Sequence, residues 1–389
     1  MRPYLILVSA VVMQMCLGAT YSWSVYVQPI RELTGLLQGP VQAPFTFFYF
    51  VFPGTMMLSG TLLPFLGPKR CAMLGGILFG SGWMLASLGG LYFGFTVLGI
   101  GLLAGIGVGM AYIVPISVCM QWFPKHKGLV TGIAVAGFGG GAAMVSQVGG
   151  FLMTDYGFTP FDTFRVFGIL FMLLVTLAGS TMVNPEDPDQ KKPLPLQTAD
   201  ILPRSNFRML YFAMFTGLAA GFAVNANLKE LFPGQNVEAG ILAISLFGVA
   251  NAAGRITWGI LFDRIRSATA VQANLLCQAA VLIAGPWILT SPTGLQVFAV
   301  LTGFNYGGVL VVYVSSAARS WGKEHVGQVY GWLFSANIPA SVSPILARMV
   351  YDYSGDFTAA LWVIGGLLIV AAGVVFLRAG VLNVEGVGS

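Results

Sequence analysis

The chain has 389 residues, 56% of them hydrophobic and 8% charged, with a formal net charge of +5. Ordinary soluble domains carry about 25% charged residues, so this chain lacks the charge to cover a water-facing surface and must face lipid. A β-barrel is excluded too: barrel strands alternate polar and apolar residues over about ten positions, whereas the apolar runs here are longer and rich in Gly and Ala.

Charged or Pro/Gly-rich punctuation divides the chain into twelve apolar spans, numbered in order: 4–30, 41–63, 71–90, 94–121, 128–153, 163–183, 207–231, 237–262, 268–289, 295–318, 326–348 and 358–380. Each is long enough to cross about 30 Å of hydrocarbon as a helix. The N-terminus opens like a signal peptide, but its apolar stretch is too long and shows no small-residue cleavage site, so it is expected to be span 1. Cys16, Cys71, Cys119 and Cys277 fall in apolar segments without pairing or ligand spacing. They read as small buried hydrophobes, with no disulfide, metal or cofactor expected. The Gly-rich stretches 105–110 and 137–141 have neither the preceding strand nor the following Lys-Ser/Thr of a phosphate loop, and read as close helix packing.

Between spans 6 and 7 lies "NPEDPDQKKPLPLQTADILPRSN", rich in Pro and charge. It reads as a cytoplasmic linker, 184–206, between an N-terminal six-helix bundle, 1–183, and a C-terminal one, 207–389. With a cytoplasmic N-terminus, that side of the membrane holds 14 Lys and Arg residues. They are Arg2, Lys69, Arg70, Lys125, Lys127, Lys191, Lys192, Arg204, Arg208, Arg264, Arg266, Arg319, Lys323 and Arg378. The other side holds Arg31, Arg165, Lys229 and Arg348. Both termini are therefore expected in the cytoplasm. The positive charge is this topology signal and gives no case for nucleic-acid binding. One constant offset of 199 residues aligns Trp122 with Trp321, His126 with His325, Gly128 with Gly327 and Gly132 with Gly331, and also Gly60 with Gly259. The chain thus reads as an all-α membrane protein of twelve transmembrane helices, built by duplication of a six-helix unit, as a rocking transporter would be. His126 and His325, in equivalent loops, read as packing or solvated groups.

Arg255 is the residue that needs explaining. It sits within an apolar segment, and nothing acidic lies within seven residues on either side. Burying an Arg in a membrane helix costs roughly 2.5–3.5 kcal/mol on insertion scales. Asp263, eight residues on, places it about 12 Å from the helix end, too deep for easy snorkelling. Every acidic residue falls in a loop or at a span end. A planar guanidinium matches a carboxylate bidentately, so the expected counter-ion is a carboxylate substrate. Asn251 lies one turn earlier on the same face, placed to bond that substrate or to orient the guanidinium. In span 7, Asn225 and Asn227 are further polar candidates. No paired nucleophile and base lies within the spans, so an enzyme is not expected.

Twelve spans in a 6+6 repeat, with G-x-x-x-D-R at Gly259, Asp263 and Arg264, resemble the major facilitator superfamily over the whole chain. That resemblance implies the major facilitator fold. It also implies gating or structural roles for Asp263, Arg264, Lys69 and Arg70. The first copy of the loop motif has Pro64 where the family's Asp belongs, which removes that acid from the N-terminal half. "TYSWSVYVQPI" (20–30), "WFPKHKGLVTGIAVAGFGGG" (122–141) and "NAAGRITWG" (251–259) resemble, more closely, the oxalate/formate antiporter family and the related monocarboxylate transporters, among them bacterial lactate transporters. This implies that Arg255 binds a substrate carboxylate and that Tyr21, Tyr112, Phe138, Tyr306 and Phe334 take aromatic cage positions. Family members that move oxalate carry a second cation, a Lys in span 11, where Asn337 stands here. One cation suits one carboxylate. The expected function is therefore transport of small monocarboxylates such as L-lactate or pyruvate by alternating access, in proton symport, with a carboxylate exchanger as the alternative. A bacterial inner membrane and a monomer are expected.

Overall fold

In a computed structural model, residues 2–185, 196–228, 230–232 and 237–380 are described. Residues 186–195 of the expected linker, with Lys191 and Lys192, lie outside them, as does Lys229. All regular structure among the described residues is helical. That is the solution lipid imposes, since hydrocarbon offers no partner for a backbone N–H or C=O.

Among the described residues, ten stretches are long and apolar enough to cross a membrane. One of them, Gly39–Gly90, runs for 52 residues and holds spans 2 and 3. These break at Gly67, whose φ of 76° and ψ of 159° suit a residue without a β-carbon, with Pro64 and Pro68 on either side. Span 11 adds the twelfth crossing in pieces: Val326–Phe334, Asn337–Ala340 and Ser343–Ser354. The uninterrupted span expected there fails because Pro339 and Pro344 carry no amide hydrogen. Side chains bond backbone carbonyls along the broken stretch. Asn337 Nδ2 donates to Phe334 O at 2.7 Å, Ser335 Oγ to Trp332 O at 2.7 Å and Ser341 Oγ to Ile338 O at 2.7 Å. Span 1 is likewise divided, with a 3-10 turn at Gly18–Ser22 between Arg2–Leu17 and Ser24–Thr34.

Helix starts follow local chemistry. Thr159 and Asp162 cap each other's backbone at the head of span 6 (Pro160–Ser180), with Pro160 at the first position. Ser291 Oγ accepts from Gly294 N at 3.0 Å at the head of span 10 (Pro292–Trp321), again followed by a proline.

The chain forms two compact units: Met1–Pro124 with Ile133–Pro195, and Lys125–Gly132 with Leu196–Ser389. In the first, rings fill the interior, with Trp83 edge-on to Phe164, Phe171 and Tyr26. In the second, span 7 (Ser205–Asn227) is clasped to span 11. Ser343 Oγ donates to Ala219 O at 2.8 Å, Asn227 Nδ2 to Pro344 O at 3.4 Å, and Arg348 pairs with Glu230 at 2.8 Å. Three of the four cysteines are buried, as expected. Cys277 is exposed instead, because it lies on the outward side of its helix.

Candidate functional site

Span 8 (Val237–Arg264) carries the buried cation. Arg255 is 7% exposed and Asn251 9%. Arg255 Nε donates to Asn251 Oδ1 at 2.8 Å, one helical turn back, which fixes the rotation of the guanidinium plane.

The main chain beneath this pair is tightly held. Span 10 passes so close that a β-carbon at Gly307 would stand 3.0 Å from Arg255 N and nearer still to Asn251 O. Only glycine permits that approach. Tyr306, the preceding residue, is half-buried, with its ring centroid 6.0 Å from those of Phe222 and Phe247. Phe334 and Tyr330 lie edge to face at 5.7 Å, and Asn337 donates to the Phe334 carbonyl. Asn227 is buried and donates to Ala223 O at 2.8 Å as well as to Pro344 O. Asn225 is exposed.

The other aromatic candidates fall in the first unit and form one cluster there. Phe138 is the hub, with ring centroids 5.1 Å from Tyr21 and 5.3 Å from Tyr112. Tyr112 and Phe138 are buried, whereas Tyr21 is 38% exposed. Gln14 Nε2 donates to the Tyr112 carbonyl at 3.0 Å. Phe52 and Tyr49 belong to the same cluster, at 5.4 Å from Tyr112 and 5.5 Å from Tyr21. Sequence reasoning passed over both, since one phenylalanine among 29 carries no signal in so apolar a chain.

The gating candidates separate. Asp263 accepts from two successive amides, Gly128 N at 2.7 Å and Leu129 N at 2.9 Å. These begin the helix Lys127–Asp155 and belong to the same compact unit as Asp263. A carboxylate there meets unsatisfied N–H groups and the positive end of the helix dipole. Arg264, Lys69 and Arg70 are exposed. Arg319, read from sequence only as a topology charge, does more. It donates to Phe262 O and Ile265 O, both at 2.6 Å, and lies 4.0 Å over the Phe262 ring, capping the end of span 8. Its position in the last turn of span 10 was the only clue in the sequence. In the following loop, burial lowers the pKa of His325, against an opposing pull from Glu324.

Among the described residues, the membrane-crossing helices bury one arginine, Arg255, in mid-span. The family model described as Major Facilitator Superfamily matches residues 7–235 and 234–385. The chain belongs to the major facilitator superfamily. It is 25% identical over 353 residues to the oxalate:formate antiporter of Oxalobacter formigenes, covering 88% of this chain and 82% of that one. It is 25% identical over 326 residues to monocarboxylate transporter 13 of Bos taurus, covering 79% and 73%. The E. coli fucose:proton symporter FucP shares the fold, with a TM-score of 0.76 at 13% identity, covering 96% of this chain and 98% of that one.

Proposed function

We propose that this protein is a secondary active transporter of small monocarboxylates, lactate or pyruvate in type, working by alternating access. The observation that carries the reading is the Arg255 guanidinium, buried in mid-span and held in plane by Asn251. Bidentate recognition of a carboxylate needs a planar donor fixed in this way. The names of the two relatives, one for formate and oxalate and one for monocarboxylates, support the class of substrate. Asn337 supports the monocarboxylate over the dicarboxylate, because it supplies no second charge. Tyr306, Phe334, Asn337 and Asn227 are the remaining candidates in the second unit, and Tyr21, Tyr112 and Phe138 those in the first. Asp263, with Arg264, Lys69 and Arg70, is assigned to gating.

One carboxylate plus one proton is neutral, so proton symport moves the substrate without net charge. The protein is placed in a bacterial inner membrane, as a monomer with cytoplasmic termini. The test is uptake of labelled L-lactate into proteoliposomes with and without an inward proton gradient. Gradient-driven accumulation is expected. The antiporter among the relatives favours a second reading, in which a carboxylate is exchanged for another. No uptake into empty vesicles, with brisk exchange into vesicles preloaded with a carboxylate, would select it. No movement of any monocarboxylate in either mode would overturn both.

A further inference from the structure

Tyr306 rests on a residue with no side chain. Span 7 passes span 10 with Gly221 against the phenol ring. A β-carbon at Gly221 would stand 2.6 Å from Tyr306 Cγ and closer to Cδ2 and Cε2. Ordinary carbon–carbon contact is about 3.5–4.0 Å, so the ring must move by about 1 Å or more to admit even a methyl group. Two flanks of the ring are taken by Phe222 and Phe247. The main chain cannot yield instead, because Gly307 is already seated on the backbone of Asn251 and Arg255. Tyr306 is half-buried, so the ring itself has to shift.

We propose that Gly221 is a positioning residue for the substrate pocket of the second unit. The missing side chain sets where the Tyr306 ring lies, and thereby the room beside Arg255 for the substrate's own substituent. The smallest monocarboxylate, formate, has no substituent and is indifferent to this setting, whereas lactate, with a methyl and a hydroxyl group, is not. The proposal rests on the monocarboxylate reading of Arg255 and Tyr306.

The experiment compares wild-type protein with Gly221→Ala, Tyr306→Leu, the double variant and Arg255→Gln, all full-length in proteoliposomes. Uptake of labelled formate and L-lactate gives KM and Vmax, and fluorine NMR of 3-fluorotyrosine at position 306 reports the ring. Gly221→Ala should move the fluorine resonance and raise the lactate KM by about tenfold, the scale of one misplaced methylene in a pocket. The formate KM and both Vmax values should stay within about twofold, and the same substitution should be nearly silent once Tyr306 is Leu. An unmoved resonance overturns the contact. A moved resonance with an unchanged lactate-to-formate KM ratio, alongside inactive Arg255→Gln, overturns the positioning role alone. Normal transport by Arg255→Gln overturns the monocarboxylate reading and the proposal with it. If Gly221→Ala prevents folding, recovery in the double variant supports the contact, and no recovery overturns it.

Discussion

The two units hold their candidate residues by different physics. In the first, Tyr21, Tyr112, Phe138 and Phe52 are held ring against ring, and each position depends on its neighbours' volume. In the second, Arg255 is hydrogen-bonded to Asn251 on a main chain pinned to span 10. The two units thus differ, with a formal charge in the interior of one and an aromatic cluster in that of the other. The difference teaches where a substitution should be felt. Chemistry removed from the second unit should appear in transport, and volume removed from the first should appear in stability.

The sharpest way to break this comparison is Arg255→Gln. Truncating one partner of a desolvated charge pair costs 2–5 kcal/mol or more, so lactate uptake should fall by about thirtyfold or more. The thermal midpoint in detergent should stay near wild type; a collapse of folding would show that Arg255 is structural. Next comes Asn251→Ala. A hydrogen bond to a charged group is worth about 1.5–3 kcal/mol, so KM should rise at least tenfold with Vmax less affected. Unchanged KM would show that the guanidinium plane is set elsewhere. Phe138→Leu should add a loss of stability to any effect on transport. It removes contacts to Tyr21, Tyr112 and Phe52, each worth about 0.5–1.5 kcal/mol beyond area. A lower thermal midpoint is expected, and an unaltered one would show that the cluster is loosely packed.

Smaller effects come from the loops. Asp263→Asn removes a charge from a helix N-terminus, worth about 0.3–1 kcal/mol where exposed, and a slightly lower thermal midpoint at low salt should result. The smallest effect concerns His325. Its folded pKa lies below the ordinary value of 6.5, so the unfolded chain binds the proton more readily. The stability of the neutral ring is complete above 6.5 and is lost as pH falls through the folded pKa. His325→Gln should flatten the dependence of the thermal midpoint on pH between pH 7 and about 5. An unchanged slope would assign the acid sensitivity elsewhere.

The crossings were legible because lipid imposes a minimum apolar length that loops and charges interrupt. The breaks within spans 1 and 11 were not, since an apolar residue in a 3-10 turn reads like one in an α-helix. Arg255 stood out because charge is rare in the spans, and Asn251 followed from helical spacing. Arg319 was hidden by the opposite circumstance. At a cytoplasmic helix end a cation is expected anyway, and nothing in the sequence separates one that caps a neighbouring helix from one that faces water. The cluster of Phe52 and Tyr49 about Tyr21 and Tyr112 was hidden by abundance.

The seam between spans 8 and 10 also bears on how such a protein diversifies. Gly254, Gly303 and Gly307 each meet the facing backbone, at Phe304, Phe247 and Asn251. Random mutagenesis selected for survival on a new substrate should therefore return almost nothing at these three positions. Winners should collect at side chains such as Tyr306 and Phe334, whose shape can drift while the seam stays fixed. A lineage descended from this chain would change its diet ring by ring.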